Sequence, residues 1–104
     1  MRSLTVHVAA SAEAEAAASW YEKQRVGLGS EFRDQLVATL NILREGIVSG
    51  APWPGALGNC GVRRLSTKRF PFYVVFTVNG ATVFIAAIAH HAKRPQYWSR
   101  RLGT

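Results

Sequence analysis

The sequence predicts an α+β domain in which a helical hairpin packs on a small antiparallel sheet, in the order β-α-α-β-β-β. Two observations carry most of this prediction. Between residues 32 and 47, apolar side chains recur every three or four positions, which is the period of an amphipathic helix. Further along, Asn79-Gly80 separates two apolar runs, and this dipeptide is the strongest short-range signal of a β-hairpin.

The first strand is predicted from alternating apolar and polar residues near the N-terminus. Leu4, Val6 and Val8 alternate with Thr5 and His7, which is the pattern of a strand with one buried face. We therefore expect this segment to lie in the sheet.

A first helix is predicted to follow this strand. Ser11 is a suitable N-cap residue, and alanine, the best helix former, dominates residues 12–18. Trp20 and Tyr21 supply most of the apolar surface near the end of this helix, so we expect both to lie in the core.

The second helix has the clearest pattern in the sequence. Gly27 and Gly29 are predicted to break the chain between the two helices, and Gly50 to end the second one. The apolar stripe of this helix consists of Phe32, Leu36, Leu40, Leu43 and Ile47. Two helices joined by a short glycine turn form an antiparallel hairpin.

Three further strands are predicted after a loop at 51–61, which is rich in proline and glycine. They span Val62–Leu65, Phe72–Val78 and Ala81–Ala89, and a two-residue turn at Asn79-Gly80 sets the register of the last two.

Both faces of the predicted hairpin are mostly apolar. One face carries Phe72, Val74, Phe76, Val83 and Ile85. The other carries Tyr73, Val75, Thr77, Phe84, Ile88 and His90. Two helices can cover only one of these faces, so we expect an exposed apolar strip on the other, a feature typical of a partner-binding surface.

The charge of the chain is strongly asymmetric. Its 104 residues include 13 Lys and Arg against 6 Asp and Glu, a formal net charge of +7. All the acidic residues lie between Glu13 and Glu45, so the second half is basic. This favours an anionic partner, such as nucleic acid, the ribosome, an acidic protein or anionic lipid. The alternative is a solvated basic face that has no partner.

Length and composition predict one cytoplasmic domain over 1–104. A single cysteine, Cys60, excludes an internal disulfide and fits a reducing compartment. No long apolar stretch follows Arg2, so no signal peptide is expected. The longest apolar run, Val83 to Ala89, is far shorter than the roughly 20 residues that span a bilayer, so no membrane association is expected.

Several segments, in this order and spacing, resemble the ParE/RelE superfamily of small basic toxins from bacterial toxin–antitoxin pairs, in its ParE-like branch. The segments that carry the resemblance are Trp20-Tyr21-Glu22, Gly27-Leu28-Gly29, Glu31-Phe32, Val62-Arg63-Arg64, Phe70-Pro71-Phe72, Asn79-Gly80, and the ending with His90, Arg94-Pro95, Tyr97-Trp98 and Arg101. Together they cover the chain from about residue 4 to residue 101.

The resemblance implies a type II toxin that a cognate antitoxin, encoded beside it, binds and neutralises in a hetero-oligomer. ParE-like members inhibit DNA gyrase, and such pairs stabilise plasmids. RelE-like members, in contrast, are endoribonucleases that cut messenger RNA in the ribosome. Operator DNA is contacted only through the antitoxin in this family, and neither a cofactor nor a metal ion is implied.

The target-binding surface of a ParE-like toxin is expected in the basic C-terminal half. The candidate residues are Arg63, Arg64, His90, Lys93, Arg94, Tyr97, Trp98 and Arg101. The ribonuclease alternative uses four of the same side chains as catalytic groups. Arg64 and Arg94 would then neutralise phosphate, and His90 or Tyr97 would transfer protons. Because Pro95 interrupts the spacing typical of these ribonucleases, we favour binding without catalysis.

Two of these candidates have structural alternatives. His90 and His91 are neighbours at a strand end and should point to opposite faces, which makes a shared metal site improbable. His90 is then either a target contact or a ring that packs near the sheet edge and bonds a backbone group. Trp98 is either a binding hot spot or an anchor that pins the tail onto the sheet.

Overall fold

The computed structural model describes residues 2–102 and confirms the α+β fold. In chain order the elements are β1 (Ser3–Val6), α1 (Val8–Gln24), α2 (Leu28–Glu45), β2 (Ala51–Pro52), α3 (Ala56–Asn59), β3 (Arg63–Ser66), β4 (Phe72–Asn79), β5 (Thr82–His90) and a 3-10 helix (Ser99–Leu102). No helix in this part of the chain is both long enough and apolar enough to cross a bilayer.

The five strands form one sheet in the order β1-β5-β4-β3-β2. β3, β4 and β5 pair antiparallel, as predicted, and β2, which was not predicted, pairs antiparallel with β3. β1 runs parallel to β5 and makes the sheet mixed. The alternating pattern that predicts β1 reports a buried face and carries no information about the direction of the neighbouring strand.

Helix α1 begins earlier than predicted. His7, not Ser11, is the N-cap, and its Nδ1 accepts a hydrogen bond from the backbone N–H of Ala9 at 3.0 Å. Val8 is consequently the first helical residue and is exposed, not a buried strand residue. The imidazole nitrogen fills the role of the usual Ser or Asp oxygen.

The joint between α1 and α2 depends on both glycines, in different ways. Gly27 adopts a φ of 89° at the start of α2. Gly29 does not break a helix; it lies inside α2, where a Cβ would stand 2.6 Å from the carbonyl oxygen of Ala18. The Glu22 carboxylate accepts hydrogen bonds from both glycine N–H groups, at 2.9 and 3.0 Å. The missing side chain at position 29 therefore lets the two helices approach closely.

The predicted apolar stripe of α2 faces the sheet over its first four members. Phe32, Leu36, Leu40 and Leu43 are buried or half-buried in the core. The helix ends before Ile47, which is 70% exposed, so including it in the stripe was wrong. Gly46 at φ 74° replaces the predicted Gly50 as the C-cap, and its N–H bonds back to the carbonyl of Leu43.

The hairpin of β4 and β5 has the predicted position and a different register. Asn79 pairs with Thr82, so the connecting residues are Gly80 and Ala81, one position later than expected. Further along, Val75 pairs with Ala87 whereas its neighbour Phe76 pairs with Ile85. Position 86 is thus the extra residue of a β-bulge.

The bulge decides which side chains reach the helices. The set predicted to share one face (Phe72, Val74, Phe76, Val83 and Ile85) lies together in the core beneath α1 and α2. Ile88 and His90, which were assigned to the opposite face, also lie on the helix side. Ile88 joins the same core, and the His90 ring stands edge-on to Phe72 at 5.0 Å. One extra residue reverses the side-chain alternation beyond it.

The opposite face of the sheet is covered by the chain itself, so the predicted exposed apolar strip there is wrong. A second core on this face is formed by Trp53, Val62, Val75, Ala87, Ala89 and Trp98. The segment predicted as a loop, 51–61, contains β2 and α3 and contributes Trp53. The C-terminal segment contributes Trp98, which is 1% exposed. These two indole rings cover the apolar side chains on the face of the sheet opposite the helices.

Candidate functional site

A pocket of about 160 Å³ opens on the second face of the sheet, beside the end of β5. It is lined by Trp53, Arg64, Tyr73, Ala89, His90, His91, Lys93, Arg94, Pro95, Tyr97 and Trp98. Six of the eight predicted target-binding residues are in this set. Arg63 and Arg101 are the two that lie elsewhere. The structure therefore gathers most of the predicted residues in one place, while their role in target binding stays a prediction.

Arg64 is held in the pocket by aromatic rings. Its guanidinium carbon lies 5.2 Å from the ring centroid of Trp53 and 4.9 Å from that of Tyr73. Within residues 2–102 it forms no ion pair with a carboxylate. Stacking on two rings restrains the side chain and leaves its positive charge uncompensated.

Arg63 points away from this pocket, because neighbouring residues of a strand project to opposite faces. Its Nε donates to the carbonyl of Ser49 at 2.7 Å, and a terminal nitrogen donates to the carbonyl of Gly50 at 3.0 Å. Arg63 thus holds the chain that follows α2 and contributes no charge to the pocket.

The two histidines point to opposite faces, as predicted. His90 packs on Phe72, and its Nδ1 accepts a hydrogen bond from the N–H of Ala92 at 2.9 Å, which is the structural role considered for it. His91 is exposed, and its ring lies over Tyr73 with centroids 4.1 Å apart. Among residues 2–102, no three His, Cys, Asp or Glu side chains are grouped closely enough to bind a metal ion.

Tyr97 and Arg101 share one carboxylate partner, Glu13 of α1. The Tyr97 hydroxyl donates to its Oε2, and Arg101 pairs with it at 2.9 and 3.2 Å. The same carboxylate accepts the N–H of Ile88 at 3.1 Å, and Arg101 donates to the carbonyl of Ala86 at 3.2 Å. Glu13 therefore joins α1, the β-bulge and the C-terminal segment.

Burial, reinforced by the Glu13 carboxylate, raises the pKa of Tyr97 well above its ordinary value of 10.0. The phenol is consequently protonated across the physiological range, and its hydrogen is already donated to Glu13. Such a group is poorly suited to take or give a proton during RNA cleavage, since an efficient catalytic group has a pKa near the operating pH.

Trp98 anchors the C-terminal segment, in agreement with the structural alternative considered for it. It is 1% exposed and stands edge-on to Trp53, with centroids 4.8 Å apart. Lys93 and Arg94, in contrast, are exposed at the mouth of the pocket. The charges that a partner can reach here are therefore those of Arg64, Lys93 and Arg94.

Four residues of this region were not among the predicted site residues. Trp53 lies in a segment whose Pro and Gly content indicated only a loop, and Tyr73 looked like an ordinary strand aromatic. His91 was considered only for a metal site shared with His90. Glu13 is 84 residues from Tyr97, and no local pattern connects them. The packing of Arg64 on Trp53 and Tyr73 had one signal in the sequence, which is a basic residue in a predicted strand of a sheet that also carries aromatic residues.

Comparison with known proteins gives a match among the solved structures. No protein-family model and no curated protein matches the chain. A chain in the solved structure of the chromosomal ParDE TA (toxin–antitoxin) system from P. aeruginosa is similar to it, with a TM-score of 0.72 and 25% sequence identity. The match covers 86% of this chain and 96% of that one. In fold as well as in sequence, this chain resembles the ParE-like branch of the ParE/RelE toxin superfamily.

Proposed function

We propose that this protein is a ParE-like toxin of a type II toxin–antitoxin system, which inhibits DNA gyrase by binding and is neutralised by a cognate antitoxin. The similarity to the ParDE structure, over most of both chains, is the observation that carries this proposal. The protein would act in the cytoplasm, where gyrase and the antitoxin are found, and the pair would serve to stabilise a plasmid or a chromosomal segment.

Binding without catalysis is favoured by the state of Tyr97. Its hydroxyl is committed to the Glu13 carboxylate and its pKa is raised, so it is a weak candidate for proton transfer. The exposed cations of the pocket, in contrast, need no proton transfer to meet an anionic surface.

The helix side of the sheet offers an apolar groove for the antitoxin. This groove is lined by Ala17, Trp20, Tyr21, Phe72 and His90. Trp20 was expected in the core and is instead 58% exposed at the edge of the groove. An exposed tryptophan beside a groove is the kind of side chain that dominates a protein interface. We expect the apolar side chains of the antitoxin to pack here, and not on the covered face.

A RelE-like endoribonuclease is the second candidate. All four residues that it would use as catalytic groups (Arg64, His90, Arg94 and Tyr97) line the same pocket. Two guanidinium groups in one recess suit the charge that develops on phosphorus during cleavage.

Two assays of the purified protein discriminate these functions. A gyrase inhibitor is expected to block DNA supercoiling and to leave ribosome-bound message intact. The opposite pair of results would establish the ribonuclease and reject the gyrase proposal. If expression without antitoxin causes no growth arrest, neither toxin function applies, and the protein is a non-toxic relative.

Antitoxin binding is tested with the product of the neighbouring reading frame. Trp20→Ala should weaken the complex by about 2 kcal/mol, as expected for a hot-spot tryptophan. Val26→Ala is the matched control, because Val26 is 87% exposed in the joint between the helices and lines no part of the groove. Equal affinity of both variants would exclude this groove as the antitoxin site.

A further inference from the structure

The pocket beside β5 combines three positive charges with a near absence of negative ones. Arg64, Lys93 and Arg94 line it, and none of its lining residues is Asp or Glu. The Glu13 carboxylate, which contacts the pocket residue Tyr97, is engaged by Tyr97 and Arg101 on the helix side. An uncompensated group of cations in a recess attracts an anion and holds it in a partly desolvated place.

The pocket also presents planar side chains, stacked on aromatic rings, that suit a planar ligand. Arg64 packs on Trp53 and Tyr73, and Tyr73 carries the exposed ring of His91 at 4.1 Å. Aromatic faces and guanidinium planes are the surfaces on which unpaired bases stack. An acidic peptide would use the cations and would have no use for these rings.

We infer that this pocket binds one nucleotide of a single-stranded nucleic acid, with the phosphate on its cations and the base stacked on the exposed ring of His91 and the guanidinium plane of Arg64. The inference deepens the proposed function and rests on it for biological context, since both candidate targets hold a nucleic acid strand. A paired base remains in its own stack, and the recess of about 160 Å³ has room for little more than one unpaired base.

The test uses fluorescence anisotropy of labelled oligonucleotides with the purified full-length chain. An oligothymidylate of about ten nucleotides falls within the site sizes typical of such grooves, and an oligouridylate of the same length separates DNA from RNA. Both should bind more tightly than a duplex of equal length at the same salt concentration. Oligoglutamate, added as a competitor, should displace the strand poorly.

Arg64→Gln should weaken oligonucleotide binding about tenfold and reduce the salt dependence by about one phosphate contact. Arg64→Lys keeps the charge and loses the planar stacking, so it should restore the salt dependence and only part of the affinity. Arg44→Gln removes the same charge from α2, away from the pocket, and should change affinity less than about threefold. Thermal melts check that all three variants fold.

Several results would overturn the inference: no binding to either strand at low salt, tighter binding to the duplex, equal losses for Arg64→Gln and Arg44→Gln, or full displacement by oligoglutamate. These results are independent of gyrase. If the oligonucleotide binds through Arg64 and supercoiling is unaffected, nucleotide binding by the pocket is supported and the gyrase proposal is rejected. If supercoiling is blocked and no strand binds, the gyrase proposal is supported and nucleotide binding by the pocket is rejected.

Discussion

The hydroxyl of Tyr97 donates a hydrogen bond to the carboxylate of Glu13, 84 residues earlier in the chain. The same carboxylate pairs with Arg101 and accepts the N–H of Ile88 just beyond the β-bulge. Three elements that are distant in sequence therefore meet at one side chain. This contact places the C-terminal segment, and with it Lys93 and Arg94, at the mouth of the pocket.

Glu13→Gln should destabilise the protein by about 2 kcal/mol, because it removes a charge-assisted partner from Tyr97 and Arg101, which are both partly buried. Urea denaturation monitored by circular dichroism gives this difference in the free energy of unfolding. Glu15→Gln is the matched control: its ion pair with Arg33 is exposed, so its loss should cost less than about 1 kcal/mol. Equal effects of the two substitutions would show that the Glu13 contacts do not stabilise the fold.

The raised pKa of Tyr97 predicts a resistance to alkaline titration. Because the folded protein holds this proton more tightly than the unfolded chain, the stabilising contribution is complete below pH 10 and is lost as the pH rises above that value. In the folded protein, Tyr97→Phe should therefore leave the tyrosinate absorbance gained around pH 10 unchanged. A clear drop in this absorbance would mean that Tyr97 ionises normally and that its hydroxyl is available for chemistry.

Gly58→Ala should disturb the wall of the pocket. A Cβ at this position would lie 1.8 Å from the carbonyl oxygen of Trp53, so α3 or the backbone of Trp53 has to move. We expect a loss of about 2 kcal/mol in the free energy of unfolding. A change in tryptophan fluorescence should accompany it, because Trp53 contacts both Arg64 and Trp98.

Gly80→Asn is the control for this substitution. Gly80 has a φ of 60°, which asparagine tolerates, and a Cβ there meets nothing within 4 Å. Its stability and fluorescence should stay close to those of the native protein. Should Gly58→Ala behave like this control, the close approach of α3 to Trp53 would not be a constraint on the fold.

The elements that sequence predicts well are those whose signal is local. The stripe from Phe32 to Leu43 and the Asn79-Gly80 turn place the start of α2 and the β4–β5 hairpin within a residue or two, whereas α2 ends four residues earlier than predicted. The buried face from Phe72 to Ile85 follows from strict alternation, and it holds as far as the bulge. These signals can be seen in sequence because the period of a helix or a strand decides which side chains share a face, and residues close together in sequence reveal that period.

The features that sequence misses depend on tertiary contacts. Nothing in the run of apolar residues around Ala86 marks it as a bulge. The carbonyl of Ala86 accepts a hydrogen bond from Arg101, and the N–H of Ile88, two residues later, donates to Glu13. Trp53 lies in a segment with no periodic pattern of apolar residues, so its packing against the second face of the sheet could not be predicted. The prediction of an uncovered strip failed for this reason. The pocket does gather predicted residues that lie close together in sequence, from Lys93 to Trp98, and their role in target binding stays a prediction.

Gly29→Ala should destabilise the helical hairpin. A Cβ at position 29 would stand 2.6 Å from the carbonyl oxygen of Ala18, and 3.0 Å from the carboxylate of Glu22 that caps α2. Helix propensity alone favours alanine by about 1 kcal/mol, so a net loss of about 1–3 kcal/mol would show that steric conflict between the helices outweighs it. Ser30→Ala is the control: Ser30 is the next residue and is exposed on α2, so alanine there raises helix propensity without a steric conflict between the helices. Denaturation midpoints of the two variants should therefore move in opposite directions, and a shift of both toward higher stability would rule out a tight approach of α1 and α2 at Gly29.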